Sequence, residues 1–249
     1  MTTCALCLNE SPLHVSHIMP ASLHKHVKTE GKNVHYELPG KINLNNQKDL
    51  KERLLCGACE QKFSKFEKTA IERLRDVWKT SKGPEKAPVG RQHVEPIMSF
   101  VHSVFWRASL STQLHRYKLP GDVEERLRCA LYTGKTILPP ELSVSIYRFE
   151  YLRRFGAADI IHAPRMNWWN STNISSSFLA MGLIFVMEAP YQFSQSLRAG
   201  TVLTPDSEVN FIRAAPKDVA FPSVLAINEA RDLTKRSPNV GAFLKNMSI

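Results

Sequence analysis

Two Cys-x-x-Cys pairs, Cys4–Cys7 and Cys56–Cys59, with residues 8–55 between them, constrain this chain more than any other feature. A C-x-x-C loop brings two sulfurs within reach of one ion. Two such loops complete the tetrahedral four-thiolate set that Zn²⁺ accepts, so a structural zinc held by Cys4, Cys7, Cys56 and Cys59 is expected. Gly57 is expected to give the second knuckle backbone freedom. A helical pattern starts at once after it, which puts Cys59 in a first turn where the positive helix end favours a thiolate. Cys129, the fifth cysteine, falls in an expected helix over 123–132 and reads as a small buried apolar residue. Paired knuckles plus one odd cysteine fit a reducing compartment better than a disulfide scaffold.

The chain carries a formal charge of +10. Such a field attracts polyanions, and nucleic acid is the obvious one. Residues 1–91 hold 16 Lys and Arg against 10 Asp and Glu, so the charge is densest in the part with the cysteines. No polybasic run adjoins an amphipathic stretch, and no membrane partner is expected. The beginning of the chain shows no apolar core of signal-peptide length, and the most apolar stretch, Phe178–Met187, is too short to span a bilayer. A cytoplasmic protein is the expectation, with that stretch a buried strand.

Phe63, Phe66, Ala70, Leu74 and Val77 recur at three- and four-residue steps and predict one amphipathic helix from Cys59. It ends before a stretch containing Pro84, Gly83 and Pro88 that reads as a linker. The expected division is therefore 1–80 as a zinc-binding domain, 81–94 as linker and 95–249 as a second domain. In the second part, helices are expected over 96–117, with Pro96 in the first turn, and over 122–132, with Asp122 as N-cap. Strands are expected over 143–149, 178–188, 200–203 and 209–212, and a last helix over 217–235. The fold class is α+β: a small N-terminal zinc domain, then an α+β domain with an antiparallel sheet.

Three pieces stand together in the first part: Cys4-Ala-Leu-Cys7, Ser16-His17-Ile18-Met19-Pro20, and Leu54-Leu55-Cys56-Gly57-Ala58-Cys59-Glu60. The set resembles the HNH-type (ββα-metal, treble-clef) endonucleases that carry a stabilising zinc. The resemblance covers roughly residues 1–70. It implies a metal-dependent hydrolase of phosphodiester bonds in nucleic acid, DNA more than RNA, of the kind found among defence or toxin-type effectors, with His17 as the general base. An imidazole that titrates near neutrality suits that work. Glu60 stands where the family completes the site for its catalytic cation, and a carboxylate suits Mg²⁺ or Mn²⁺. Ser16 stands in place of the family's acidic or histidine ligand, and Lys51 roughly in place of its asparagine. Those two departures keep open a second reading: a catalytically degenerate zinc protein that binds nucleic acid or a protein partner.

Lys25 and Lys28, between the knuckles, and Lys62 and Lys65, on the following helix, are the candidate phosphate contacts. Glu60 and Glu67, seven residues apart on that helix, share a face. Glu67 is expected to pair with a neighbouring lysine, Lys62 or Lys68. Residues 95–249 match no motif, and a protein partner or a second copy of the chain is expected to use that part.

Overall fold

The computed structural model describes residues 2–28, 35–38, 41–43, 50–80, 90–137, 141–148, 160–169, 174–181, 183–189 and 203. Residues 81–89 of the linker expected over 81–94, the strand over 209–212 and the helix over 217–235 lie outside these residues, as do the side chains of Lys25 and Lys28.

Ten strands and four helices are described. The first part holds β1 (Thr2–Thr3), β2 (Glu10–Ser11), β3 (Leu13–His17), α1 (Ala21–Lys28), β4 (His35–Leu38), β5 (Lys41–Asn43), β6 (Lys51–Cys56) and α2 (Gly57–Thr80). The second holds α3 (Arg91–Leu110), a 3-10 turn (Thr112–Leu114), α4 (Gly121–Thr133), β7 (Ser143–Arg148), β8 (Ile160–Trp169), β9 (Ile174–Ala180) and β10 (Leu183–Ala189). The chain is thus mixed helix and sheet, as the sequence predicts. No helix among the described residues is long and apolar enough to cross a membrane.

The helix expected from Cys59 is α2, and its periodic residues Phe63, Ala70 and Leu74 are buried. They pack on α3, where Phe63 meets Trp106 edge-on at 6.2 Å between ring centroids. Helix α3 is buried on every side from Val101 to Ser109, as expected of a helix sandwiched between layers. Its other side meets the main sheet: Phe100 lies edge-on to Phe178 and Phe185, and Phe105 to Phe178. Helix α3 begins earlier than expected, so Pro96 is inside it rather than in its first turn. The N-cap position of α4 is Pro120 rather than Asp122, which sits in the first turn. Helix α4 ends at Gly134, whose φ of 77° is the left-handed conformation that closes a helix.

The main sheet has the order β5-β4-β8-β9-β10-β7. Every pairing is antiparallel except β4 with β8. The single strand expected over 178–188 is instead two, β9 and β10, which turn back at Met181 so that Ala180 pairs with Leu183. A continuous apolar run conceals such a turn because both strands are buried. Within the expected strand over 200–203, only Leu203 is described. It lies outside any strand, with its N–H donating to the Val144 carbonyl at 2.8 Å.

Two strands that lie between the knuckles in sequence, β4 and β5, join the main sheet, and one continuous apolar core runs from Cys4 to Leu203. Residues 91–94, expected as the end of the linker, belong to α3 instead, and the packing of α2 on α3 crosses the expected division.

Candidate metal centre and adjoining polar site

The first knuckle closes by its own backbone. Cys4 N–H donates to the Asn9 carbonyl and Leu8 N–H to the Cys4 carbonyl, each at 2.9 Å. Leu8 adopts φ 63°, an unusual value for a residue with a Cβ. The second knuckle is the junction of β6 and α2. Strand β6 pairs with β3 through a register shift: His14 opposes Leu55 and Val15 opposes Arg53. The residue passed over is Leu54, whose carbonyl instead accepts the Ala5 N–H at 3.0 Å. A bulge in one ribbon thereby ties the two knuckles together.

The result is a cluster in which the sulfurs of Cys4, Cys7, Cys56 and Cys59 all lie within 4.8 Å of one another. The Cys7 and Cys56 sulfurs are 3.9 Å apart. Tetrahedral zinc–thiolate bonds of about 2.3 Å require sulfurs about 3.8 Å apart, so the set fits that ion. Burial works against ionising Cys4. The backbone N–H groups of Cys7, Cys56 and Leu6 outweigh it and bring this thiol down to about 7. The Cys56 N–H lies 3.3 Å from that sulfur. Burial and the neighbouring Cys56 and Cys4 push the Cys59 thiol the other way. Ionising all four thiols of such a cluster together requires a cation among them.

Gly57 earns a different explanation from the expected one. A Cβ there would stand 3.1 Å from His14 Nε2, so the glycine makes room for an imidazole resting on the start of α2. Cys129 is exposed rather than buried. Val123, Leu127 and Leu131 form the buried face of α4, and Cys129 projects away from it.

Beside the cysteines lies a polar site. Ser16, fully buried on β3, donates its hydroxyl proton to the Glu60 carboxylate in the first turn of α2. His17 follows at the end of β3, opposite Lys51, half-buried and with Nδ1 shielded from solvent. Glu67 does not pair with Lys62 or Lys68. Its partner is Arg107 of α3, in an ion pair that is almost wholly buried. Burial raises the Glu67 carboxyl, and the Arg107 charge limits the rise. The Arg107 guanidinium also lies over the Phe63 ring and bonds the Ser103 carbonyl and hydroxyl. Nothing in the local pattern of α2 announces this partner, because it comes from a helix forty residues further on.

Of the candidate phosphate contacts, Lys65 is exposed on α2. Lys62 bonds the Tyr132 carbonyl and lies 5.6 Å from that ring's centre, joining α2 to α4. Among the described residues, the four cysteines are the one group of three or more His, Cys, Asp or Glu ligand atoms gathered closely enough to hold an ion. His24 is buried. His162, buried on β8, has Nδ1 2.7 Å from the Ala163 carbonyl.

A second polar set escaped the sequence reading. On the sheet face turned from α3, Ser143, Glu188 and Ser175 form one cross-strand row, and Ser145, Val186, Ser177 and Arg165 form the next. All seven are buried. Its signals in the sequence are the alternation of serine with apolar residues over 143–146 and the run Ser175-Ser176-Ser177.

Comparison with protein-family models, with curated proteins and with solved structures finds no match.

Proposed function

We propose that this chain is a zinc-stabilised, metal-dependent endonuclease of the HNH type. The observation that carries the reading is the Ser16–Glu60 hydrogen bond. It fastens the end of β3, where His17 lies, to the first turn of α2, directly beside the cysteine cluster. Antiparallel strands β3 and β6 leading into α2 supply the ββα arrangement that such a site needs. The four cysteines serve structure in this reading, as a treble-clef zinc site. His17 takes the proton from the water that attacks the phosphodiester. Glu60 supplies a hard oxygen donor for Mg²⁺ or Mn²⁺, an ion that keeps most of its waters and takes few protein ligands. Such a cation stabilises charge on the reacting phosphate. Lys65, with Lys25 and Lys28, holds the nucleic-acid backbone.

The test is incubation of the purified chain with plasmid, single-stranded DNA and RNA in Mg²⁺ or Mn²⁺, beside His17→Ala and Glu60→Gln. Cleavage that falls about a hundredfold or more in His17→Ala supports the proposal. Absence of cleavage by the unaltered, zinc-loaded chain on all three substrates defeats it.

A binding protein without catalysis is the second reading, and the same hydrogen bond favours it: the Glu60 carboxylate already has the Ser16 hydroxyl as partner. Salt-sensitive binding that is equal in the unaltered chain and His17→Ala, with no cleavage by either, identifies that case.

A further inference from the structure

The first knuckle is contacted by a residue from the far side of the sequence. Arg128 of α4 donates from Nη1 to the Leu6 carbonyl at 2.8 Å, across 122 positions. The rest of its guanidinium is fixed by Glu125, which accepts from Nε at 2.7 Å and from Nη2 at 2.6 Å. A planar fork gripped on two of its nitrogens presents the third in a set direction.

The Leu6 carbonyl and the Cys7 N–H are the two ends of one peptide group. That peptide lies inside the first knuckle, between Cys4 and Cys7, and its N–H donates to the Cys4 sulfur. A cation bonded to the oxygen of an amide makes its N–H a stronger donor, because successive hydrogen bonds polarise one another. Arg128 therefore acts on the Cys4 sulfur through a single peptide plane. A zinc ion with four thiolates carries net negative charge, and outer partners that stabilise ligand charge hold such an ion in place.

We propose that Arg128 is a positioning residue of the metal centre, acting through the Leu6–Cys7 peptide to retain zinc on Cys4 and its partners. Zinc retention by the N-terminal cysteines then depends on the docking of α4. By linkage, zinc loading strengthens that docking to the same degree. The inference stands apart from whether the chain cuts nucleic acid.

The test uses the full zinc-loaded chain and follows zinc release to an excess of a chromogenic chelator at neutral pH. Arg128→Gln is expected to release zinc about tenfold faster or more. Arg128→Lys, which keeps the charge without the planar fork, falls between the two. Arg126→Gln, which breaks the exposed Asp122–Arg126 pair on the same helix, should release zinc at the unaltered rate. Cobalt substitution supplies a readout that loosened packing does not move. Losing a polarised N–H donor makes the sulfur electrons easier to displace, so the sulfur-to-cobalt charge-transfer band of Arg128→Gln shifts to lower energy.

An unaltered release rate in Arg128→Gln overturns the proposal, as does acceleration with an unmoved cobalt band. Equal acceleration in Arg126→Gln also overturns it, because the effect then comes from α4 stability alone. Should Arg128→Gln not fold, Arg128→Lys decides: release about threefold faster with a shifted band supports the proposal, and unaltered behaviour defeats it.

Discussion

Glu67 on α2 and Arg107 on α3 form an ion pair between the two parts of the chain, with side chains only 12% and 2% exposed. Each keeps the other from being a lone buried charge. Arg107→Met is expected to cost roughly 3–5 kcal/mol at neutral pH, because it strands the carboxylate. Arg107→Met with Glu67→Leu should recover most of that loss. The Glu67 carboxyl is raised in the folded chain, so its contribution to stability is fully present below the unfolded value and is lost as pH rises through the folded one. Without Arg107 the folded value rises further. The deficit of Arg107→Met, read from urea unfolding, should therefore shrink between pH 7.5 and pH 5.

The cysteine cluster predicts one zinc per chain by elemental analysis. Cys56→Ser and Cys59→Ser should each lose it, whereas Cys129→Ser, altered on the exposed face of α4, should keep it. Chelation should lower stability by about 3 kcal/mol or more, a fall of about 10 °C in Tm for a chain of this size. Acid should weaken retention, because each thiolate must bind a proton as the metal leaves.

His102 is buried within α3, and its Nε2 has no hydrogen-bond partner among the described residues. Burial lowers its pKa from 6.5 to about 3. A depressed histidine contributes stability above its unfolded value, and that stability is lost as pH falls toward the folded value. Between pH 6.5 and about 3, stability should drop by up to about 1.4 kcal/mol per pH unit from this residue alone. His102→Leu should remove that share of the slope, measured as the difference between the two chains in denaturant unfolding at pH 7.5, 6 and 5.

Leu8 holds φ 63° with its side chain 56% exposed. Leu8→Gly relieves the left-handed strain and gives up little packing, so it should stabilise the zinc-loaded chain by about 1 kcal/mol. Thermal unfolding measures this. A clear loss of stability would show that the leucine side chain works in the fold.

The four-cysteine cluster was legible because the chemistry of a thiolate site dictates both residue type and spacing. Helix α2 was legible because Phe63, Ala70 and Leu74 repeat along one face. The turn at Met181 was not, since burial on both sides erases the alternation that separates one strand from two. Nor was the Arg107 partner of Glu67, because local spacing reports only neighbours on the same helix. Gly57 was read for backbone freedom, whereas its reason is the His14 ring, which a strand brings from elsewhere. Each miss is a relation between segments that only the folded chain brings together.

The parallel pairing of β4 with β8 sets an order of events for the ribosome. His35 emerges early and must wait for Ile160 before its strand has a neighbour on that side. Until then the segment offers unpaired amides to any strand that passes. A fragment ending after α2 would carry that hazard permanently, and the remainder would keep β8 as a raw margin. Aggregation of either half expressed alone is the outcome expected of one short strand placed far from its mate.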